Sequence, residues 1–273
     1  MAGNLDRADV VMAEQGLAES REKAKRLIMA GQVFLTRNGR RTPVAKPGQQ
    51  VPRTAELEVR QGERFVSRGG YKLLSALEGF GLDVAGLTAL DAGASTGGFT
   101  DCLLQAGAKR VYAVDVGHGQ LHWKLVQDER VINLERVNLR HATPDLLPEE
   151  VDLVVADCSF ISLKLILPPC VRFLKGGGQV LALVKPQFEL GPEHTVKGVV
   201  RSEELQRRAV EEIREFARTE LGLTDLGALP AGVKGPKGNQ EYVLRLARSG
   251  ENMKISASSR PTAAHPQTCL TDI

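Results

Sequence analysis

Cysteine is scarce and unclustered. The 273 residues hold four (Cys102, Cys158, Cys170 and Cys269), with no Cys-x-x-Cys pair. That spacing speaks against a disulfide framework or a zinc site and fits scattered thiols in a reducing cytoplasm. Long apolar runs are missing as well. No stretch approaches the roughly 18–20 residues that span a bilayer. The opening Met1-Ala-Gly-Asn-Leu-Asp-Arg has no apolar signal core. The expected location is therefore cytoplasmic, with no membrane partner. Charge is nearly balanced: a net charge of +3 and a pI near 8.7 permit a polyanionic partner without requiring one. What is present is ordinary for a folded protein. The hydrophobic fraction is 42% and the charged fraction 25%, enough for a real core. The length fits one large domain, or a medium domain with a small appendage.

The first sixty residues stand apart. They hold 11 Lys/Arg against 7 Asp/Glu, so this segment is locally positive. Apolar spacing predicts a short helix from Leu5 to Gly16 and a second from Ser20 to Gly31, with Ser20 as N-cap and Gly31 as the stop. Short strands are expected at Val33–Thr36, Gln50–Val51 and Leu57–Arg60, joined by Asn38-Gly39 and Lys46-Pro-Gly48 turns. Arg21, Lys25 and Arg26 fall on or near one exposed side of the second helix. From spacing alone, they read equally as a solvated face or as a phosphate-contacting surface.

From 62 to 68 the chain reads as a linker or first strand. Strands and helices then alternate. Strands are expected at Leu87–Asp91, Arg110–Asp115, Val131–Leu134, Val151–Asp157, Gly178–Val184, Thr224–Leu229 and Glu241–Leu246. Helices are expected at Gly98–Ala106, Gln120–Gln127, Leu163–Leu174 and Ser202–Leu221. Near-continuous apolar strands alternating with helices predict an α/β fold, a mostly parallel, doubly wound sheet covered on both faces. Ligands on such sheets bind at the carboxyl ends of the strands, where Asp91, Asp115, Asp157 and Lys185 all fall. The expected division is 1–61, a linker at 62–68, a main domain over 69–248 and a frayed tail over 249–273.

Leu90-Asp-Ala-Gly-Ala-Ser-Thr-Gly-Gly-Phe-Thr-Asp101 is a strand feeding a glycine-rich turn into a helix. Such a run alone is a weak signal. Its spacing, Asp91-x-Gly93-x-x-x-Gly97-Gly98, differs from the dinucleotide fingerprint, and no Lys-Ser/Thr follows as in a P-loop. An acid just before the turn suits a ligand with a cationic amine and no phosphate, and S-adenosylmethionine is one. Asp115, ending the next strand, is placed for ribose hydroxyls.

Four more residues sit at expected strand ends or their flanks: Lys72, Asp157, Lys185 and Glu241. A ribose hydroxyl is a poor nucleophile and needs positioning and proton removal. A lysine serves as base only where desolvation or a second cation favours its neutral form. Lys185 is the base candidate and Lys72 the neighbouring charge, with Asp157 and Glu241 orienting them. No metal is required. Each taken singly reads more readily as a turn lysine or a helix cap.

Together with the loop, the four resemble the Lys-Asp-Lys-Glu set of the FtsJ-like ribose 2′-O-methyltransferases. The early pieces Gly16-Leu-Ala-Glu-Ser-Arg-Glu-Lys-Ala, Leu27-Ile-Met-Ala-Gly-Gln-Val and Lys46-Pro-Gly resemble the small RNA-binding fold of the ribosomal protein S-four type. Phe65-Val-Ser-Arg-Gly-Gly, Val114-Asp-Val-Gly-His-Gly-Gln-Leu, Asp157-Cys-Ser-Phe-Ile-Ser and Val184-Lys-Pro-Gln-Phe-Glu extend the likeness to the TlyA (hemolysin A) family, from about Leu5 to Ala247. The resemblance implies a Rossmann-like methyltransferase sheet behind an S-four-type domain. It implies 2′-O-methylation of cytidine in large-subunit and, in some members, small-subunit ribosomal RNA. The implied cofactor set is Asp91, Gly93, Ala94, Ser95, Thr96, Gly97, Gly98, Phe99, Asp115, Val116, Asn138, Asp157 and Phe160. The implied RNA contacts are Arg7, Arg21, Lys25, Arg26, Lys46, Arg64 and Arg68. The competing reading is a membrane-active hemolysin, against which the missing apolar span speaks.

Overall fold

The computed structural model describes residues 5–37, 39–60, 63–235 and 237–250. Asn38 of the expected turn, and all but the first two residues of the expected tail, lie outside them. The chain divides into two compact units, Met1–Arg64 and Phe65–Ile273.

In the first unit, strand β1 (Leu5–Arg7) leads into α1 (Ala8–Glu14) and α2 (Arg21–Met29). Strands β2 (Val33–Arg37), β3 (Arg40–Pro43), β4 (Gln50–Pro52) and β5 (Glu56–Val59) follow. Ala8, Val11, Met12, Ala24, Ile28 and Val33 form a small core. Ser20 caps α2, its hydroxyl accepting from the Lys23 amide. One expectation fails at the start. Leu5–Arg7 does not join the first helix but pairs antiparallel with β4, and Arg7 takes an extended conformation that delays the helix to Ala8. Strand β3 is absent from the sequence reading for a physical reason. All four of its residues are exposed, so no buried alternation marks it.

The second unit opens with α3 (Gly69–Phe80). Its further elements are β6 (Thr88–Ala92), α4 (Gly98–Gln105), β7 (Arg110–Val114), α5 (Trp123–Val126), β8 (Val131–Leu134), β9 (Val151–Ala156), α6 (Leu163–Val171), β10 (Leu174–Val184), α7 (Pro186–Glu189), α8 (Glu203–Thr219), β11 (Leu223–Pro230) and β12 (Tyr242–Arg248). One seven-stranded sheet runs β11-β12-β10-β9-β6-β7-β8. Strands β10, β9, β6, β7 and β8 are parallel, while β12 is antiparallel to both β10 and β11. Apolar layers cover both faces, one around Leu167, Leu174 and Ile213, the other around Leu73, Leu103 and Leu181. This is the doubly wound arrangement, closed at one edge by an antiparallel pair.

Helix α3 is a correction. The sequence places Lys72 near a strand end, but it sits in the first turn and a half of a helix. The preceding Gly69-Gly70 reads as loop and masks the stripe of Leu73, Ala76 and Leu77. Gly70 is needed there, because a Cβ would lie 2.3 Å from the Phe65 ring.

Candidate active site

Strand register explains why residues far apart in sequence converge. Ala92 of β6 and Ala182 of β10 both pair with Ala156 of β9, so Gly93, Asp157 and Leu183 emerge side by side. Val184 pairs with Tyr242. Because β12 runs the other way, its entry residue Glu241 lies beside Lys185 at the exit of β10. All these ends open on one cavity of about 670 Å³. Lys72 enters it from α3.

All four expected side chains line that cavity, and they form two ion pairs. Lys72 Nζ donates to Glu241 Oε2 at 2.6 Å. Lys185 Nζ lies 2.5 Å from Asp157 Oδ1 and donates to Ser159 Oγ at 2.9 Å. Lys72, Lys185 and Glu241 are buried, at 7%, 5% and 1% exposure. Gln187 Nε2 reaches the second Glu241 oxygen at 3.4 Å. Ser159 and Gln187 were missed in the sequence. Both adjoin expected residues, and a search for hydroxyl or amide partners of the lysines would have found them.

The glycine turn forms the opposite wall. Gly93 and Ala94 donate to the Val114 carbonyl, and Gly93 has a φ of +82°. A Cβ on Gly93 would come within 3.0 Å of Cys158 Sγ and 3.3 Å of the Asp157 carbonyl, so only glycine lets the turn approach β9 so closely. Asp91 is fully buried. Its Oδ2 accepts from Thr100 Oγ1 at 2.6 Å, and its Oδ1 has no hydrogen-bond partner. Burial pushes the Asp91 carboxyl up to about 7, against the lowering effect of the Thr100 hydrogen bond. Burial likewise pushes the Cys158 thiol up to about 12, so it is no nucleophile at neutral pH.

Ser95, Thr96, Gly98, Phe99 and Arg68 also line the cavity, as does Phe160. Phe160 is 90% exposed and holds a left-handed φ of +64°. Its ring lies 5.1 Å from that of Phe188, which in turn sits 5.9 Å from Lys185 Nζ. Four expected cofactor residues stand outside the lining: Gly97, Asp115, Val116 and Asn138. A Cβ on Gly97 would strike Leu125 and Leu121, so its bareness serves packing. Asp115 accepts from the Ser95 amide at 2.8 Å and the Gly117 amide at 2.7 Å, bracing the turn from behind. Val116 is 72% exposed, and Asn138 caps a short 3-10 turn at Leu139–His141.

In the first unit, the basic residues differ in their commitments. Asp9, fully buried, accepts from Arg7 and Arg21. The Arg7 hydrogen bond leads in holding the Asp9 carboxyl below its usual range. Lys25 pairs with Glu22 at 2.6 Å. Arg26 and Lys46 are exposed, and among the described residues no carboxylate pairs with them.

Residues 65–248 match the FtsJ-like methyltransferase model, and residues 6–56 match the S4 domain. The chain belongs to the FtsJ-like methyltransferase family. The 16S/23S rRNA (cytidine-2′-O)-methyltransferase TlyA of Mycobacterium tuberculosis is 45% identical to this FtsJ-like protein over 262 residues, covering 95% of this chain and 96% of the relative. Hemolysin A of Brachyspira hyodysenteriae is 38% identical, over 87% of this chain and 98% of its own. A solved structure called "Putative hemolysin from Streptococcus thermophilus" shares 45% identity with a TM-score of 0.67, covering 91% of this chain and 90% of that one. Among the described residues, no helix is long and apolar enough to cross a membrane.

Proposed function

We propose that the protein transfers a methyl group from S-adenosylmethionine to the ribose 2′-hydroxyl of cytidine in ribosomal RNA. The substrates would be large-subunit RNA, with small-subunit RNA as a second target, within ribosomal subunits in the cytoplasm and with no metal. The observation that carries this reading is the two lysine–carboxylate contacts, buried Lys72–Glu241 and half-buried Lys185–Asp157, in the cavity that the glycine turn walls. The relatives named above support the substrate class.

The cavity suits the cofactor. Asp91 Oδ1, buried and unpartnered, calls for a cationic donor. The turn residues Gly93, Ala94 and Ser95 line the cavity with their amides already donated to the Val114 carbonyl and the Asp115 carboxylate, so the turn offers a ligand a close-fitting wall. Bound there, S-adenosylmethionine supplies an electrophilic methyl group. The protein's own residues do the rest. Asp157 and Ser159 orient Lys185; once its ammonium proton has passed to Asp157 or to solvent, the neutral amine takes the proton of the 2′-hydroxyl as the new bond forms. Glu241, steadied by Gln187, fixes Lys72, whose charge stabilises the oxygen as it gains negative character. Asp115 holds the turn in shape through the Ser95 and Gly117 amides. The first unit, with Arg26 and Lys46 foremost, contributes phosphate contacts. Functional boundaries at 1–61 and 69–248 belong to the same proposal.

Two measurements test it. Ribose-methylation mapping of subunits treated with protein and cofactor should return a cytidine. Lys185→Ala should abolish transfer of labelled methyl while leaving RNA binding nearly unchanged. Full activity in that variant removes Lys185 from the base role. Lysis of red cells by purified wild-type protein, persisting in Lys185→Ala, would favour the membrane-active reading instead.

A further inference from the structure

Among the described residues four cations line the cavity, and they fall into two kinds. Lys72 and Lys185 are buried, each against a carboxylate. Arg68 and Lys237 are exposed, and among the described residues no carboxylate pairs with either. The expected chemistry uses the buried pair. It leaves Lys237 without a task.

Lys237 rides on the loop between β11 and β12, and that loop is not free. Asn239, 3% exposed, ties it to the loop between α7 and α8. Its side chain accepts from the Val200 amide and donates to the Gly198 carbonyl, each at 2.9 Å. Its own carbonyl accepts from Gly235 at 2.9 Å. A Cβ on Gly198 would lie 3.3 Å from Lys237 Nζ, so the ammonium rests over that glycine's backbone. Gly198 belongs to a tight two-residue turn closed by mutual Val196–Val199 hydrogen bonds. The other turn residue, Lys197, is exposed and held at a φ of +53°. Glycine or asparagine would adopt that conformation with less strain, and backbone strain of this kind gathers at functional sites. The loop that carries Lys237 ends at Glu241, the partner of Lys72, so its position is fixed relative to the reacting groups.

A ribose whose 2′-hydroxyl reacts carries a phosphodiester on the adjacent 3′-carbon. An unpaired ammonium at the wall of the cavity suits that anion, and an RNA backbone phosphate is bound chiefly by such charges. We propose that Lys237, assisted by Lys197 at the neighbouring tip, grips the phosphodiester beside the methylated ribose, with Asn239 as the positioning residue that joins the two loops. The proposal rests on the reading of the cavity as a ribose methylation site.

The test uses the full-length protein, labelled S-adenosylmethionine and ribosomal subunits over a salt series. Lys237→Ala should raise KM for subunits on the order of ten-fold, the worth of one charge-assisted contact. It should also reduce the slope of log KM against log salt by about one, while cofactor affinity measured by calorimetry stays at the wild-type value. Lys237→Arg should restore most of the loss. Lys197→Gly should raise KM with no fall in melting temperature, since it removes the cation and the strain together. A Lys237→Ala protein with wild-type KM and salt slope overturns the proposal. One that loses cofactor affinity alone overturns it too, assigning the ammonium to the cofactor's carboxylate. A wild-type protein that methylates no ribose in subunits would instead overturn the underlying reading.

Discussion

Lys72 and Glu241 stand 169 positions apart in the chain, yet their side chains meet at 2.6 Å in a buried ion pair. Removing one partner strands the other. Glu241→Ala should therefore cost about 3 to 5 kcal/mol of stability, the usual penalty for an uncompensated buried charge. A Lys72→Met, Glu241→Leu double variant should recover most of that stability and remain inactive. Urea unfolding and methyl transfer, measured on the same preparations, separate the two effects. A single variant as stable as wild type would show that water reaches Lys72 freely.

That ion pair also shows how far the sequence could be read. Lys185, Asp157 and Asp91 sit at or just beyond apolar strands whose carboxyl ends face the ligand, so the strand pattern alone gathered them. Glu241 and Lys72 also read as strand ends or their flanks, but what joins them to the others is the resemblance. Glu241 precedes a strand, and only the antiparallel pairing of β12 with β10 brings that end to the site. Lys72 lies on a helix that opens Gly69-Gly70, the second of which the Phe65 ring requires to be glycine, and this tertiary demand leaves no mark in periodicity. Asp115 shows a second role that its position in sequence does not reveal. One of its oxygens accepts from the Ser95 amide and the other from the Gly117 amide, so the carboxylate also fixes the turn.

Asp91 gives a pH signature. Burial raises its carboxyl from 3.8 to about 7. In the unfolded chain the group ionises near its ordinary value, and in the folded protein only near 7. Its contribution to stability is thus fully present below about pH 4 and is lost as pH rises through about 7. A cationic cofactor amine prefers the ionised form. Affinity for S-adenosylmethionine should then tighten with rising pH, by at most about ten-fold per unit, and level off above about 7. Asp91→Asn should bind more weakly and show a flatter profile. Calorimetric titration across that range checks both, and an identical slope in the variant would clear Asp91 of the role.

Phe160 is exposed yet held in a left-handed conformation that costs a non-glycine residue about 1–2 kcal/mol. Phe160→Gly should leave the melting temperature unchanged or raise it, while methyl transfer falls because the ring beside Phe188 is gone. Activity equal to wild type would reduce the aromatic pair to a surface feature.

The basic residues of the first unit should not respond alike. Arg21 shares the buried Asp9 carboxylate with Arg7, so part of its charge is spent inside the fold. Arg26 is exposed and, among the described residues, forms no ion pair, although its charge reaches Glu22 one turn back. Arg26→Glu should weaken subunit binding and flatten its salt dependence, the slope falling by about one for each phosphate the protein no longer touches, at unchanged melting temperature. Arg21→Glu should do the same and also lower the melting temperature, because it sets a second carboxylate against Asp9. Filter binding over a salt series, paired with thermal unfolding, tells the two apart. If Arg21→Glu and Arg26→Glu together leave the salt slope unchanged, the RNA surface lies on another face of this unit.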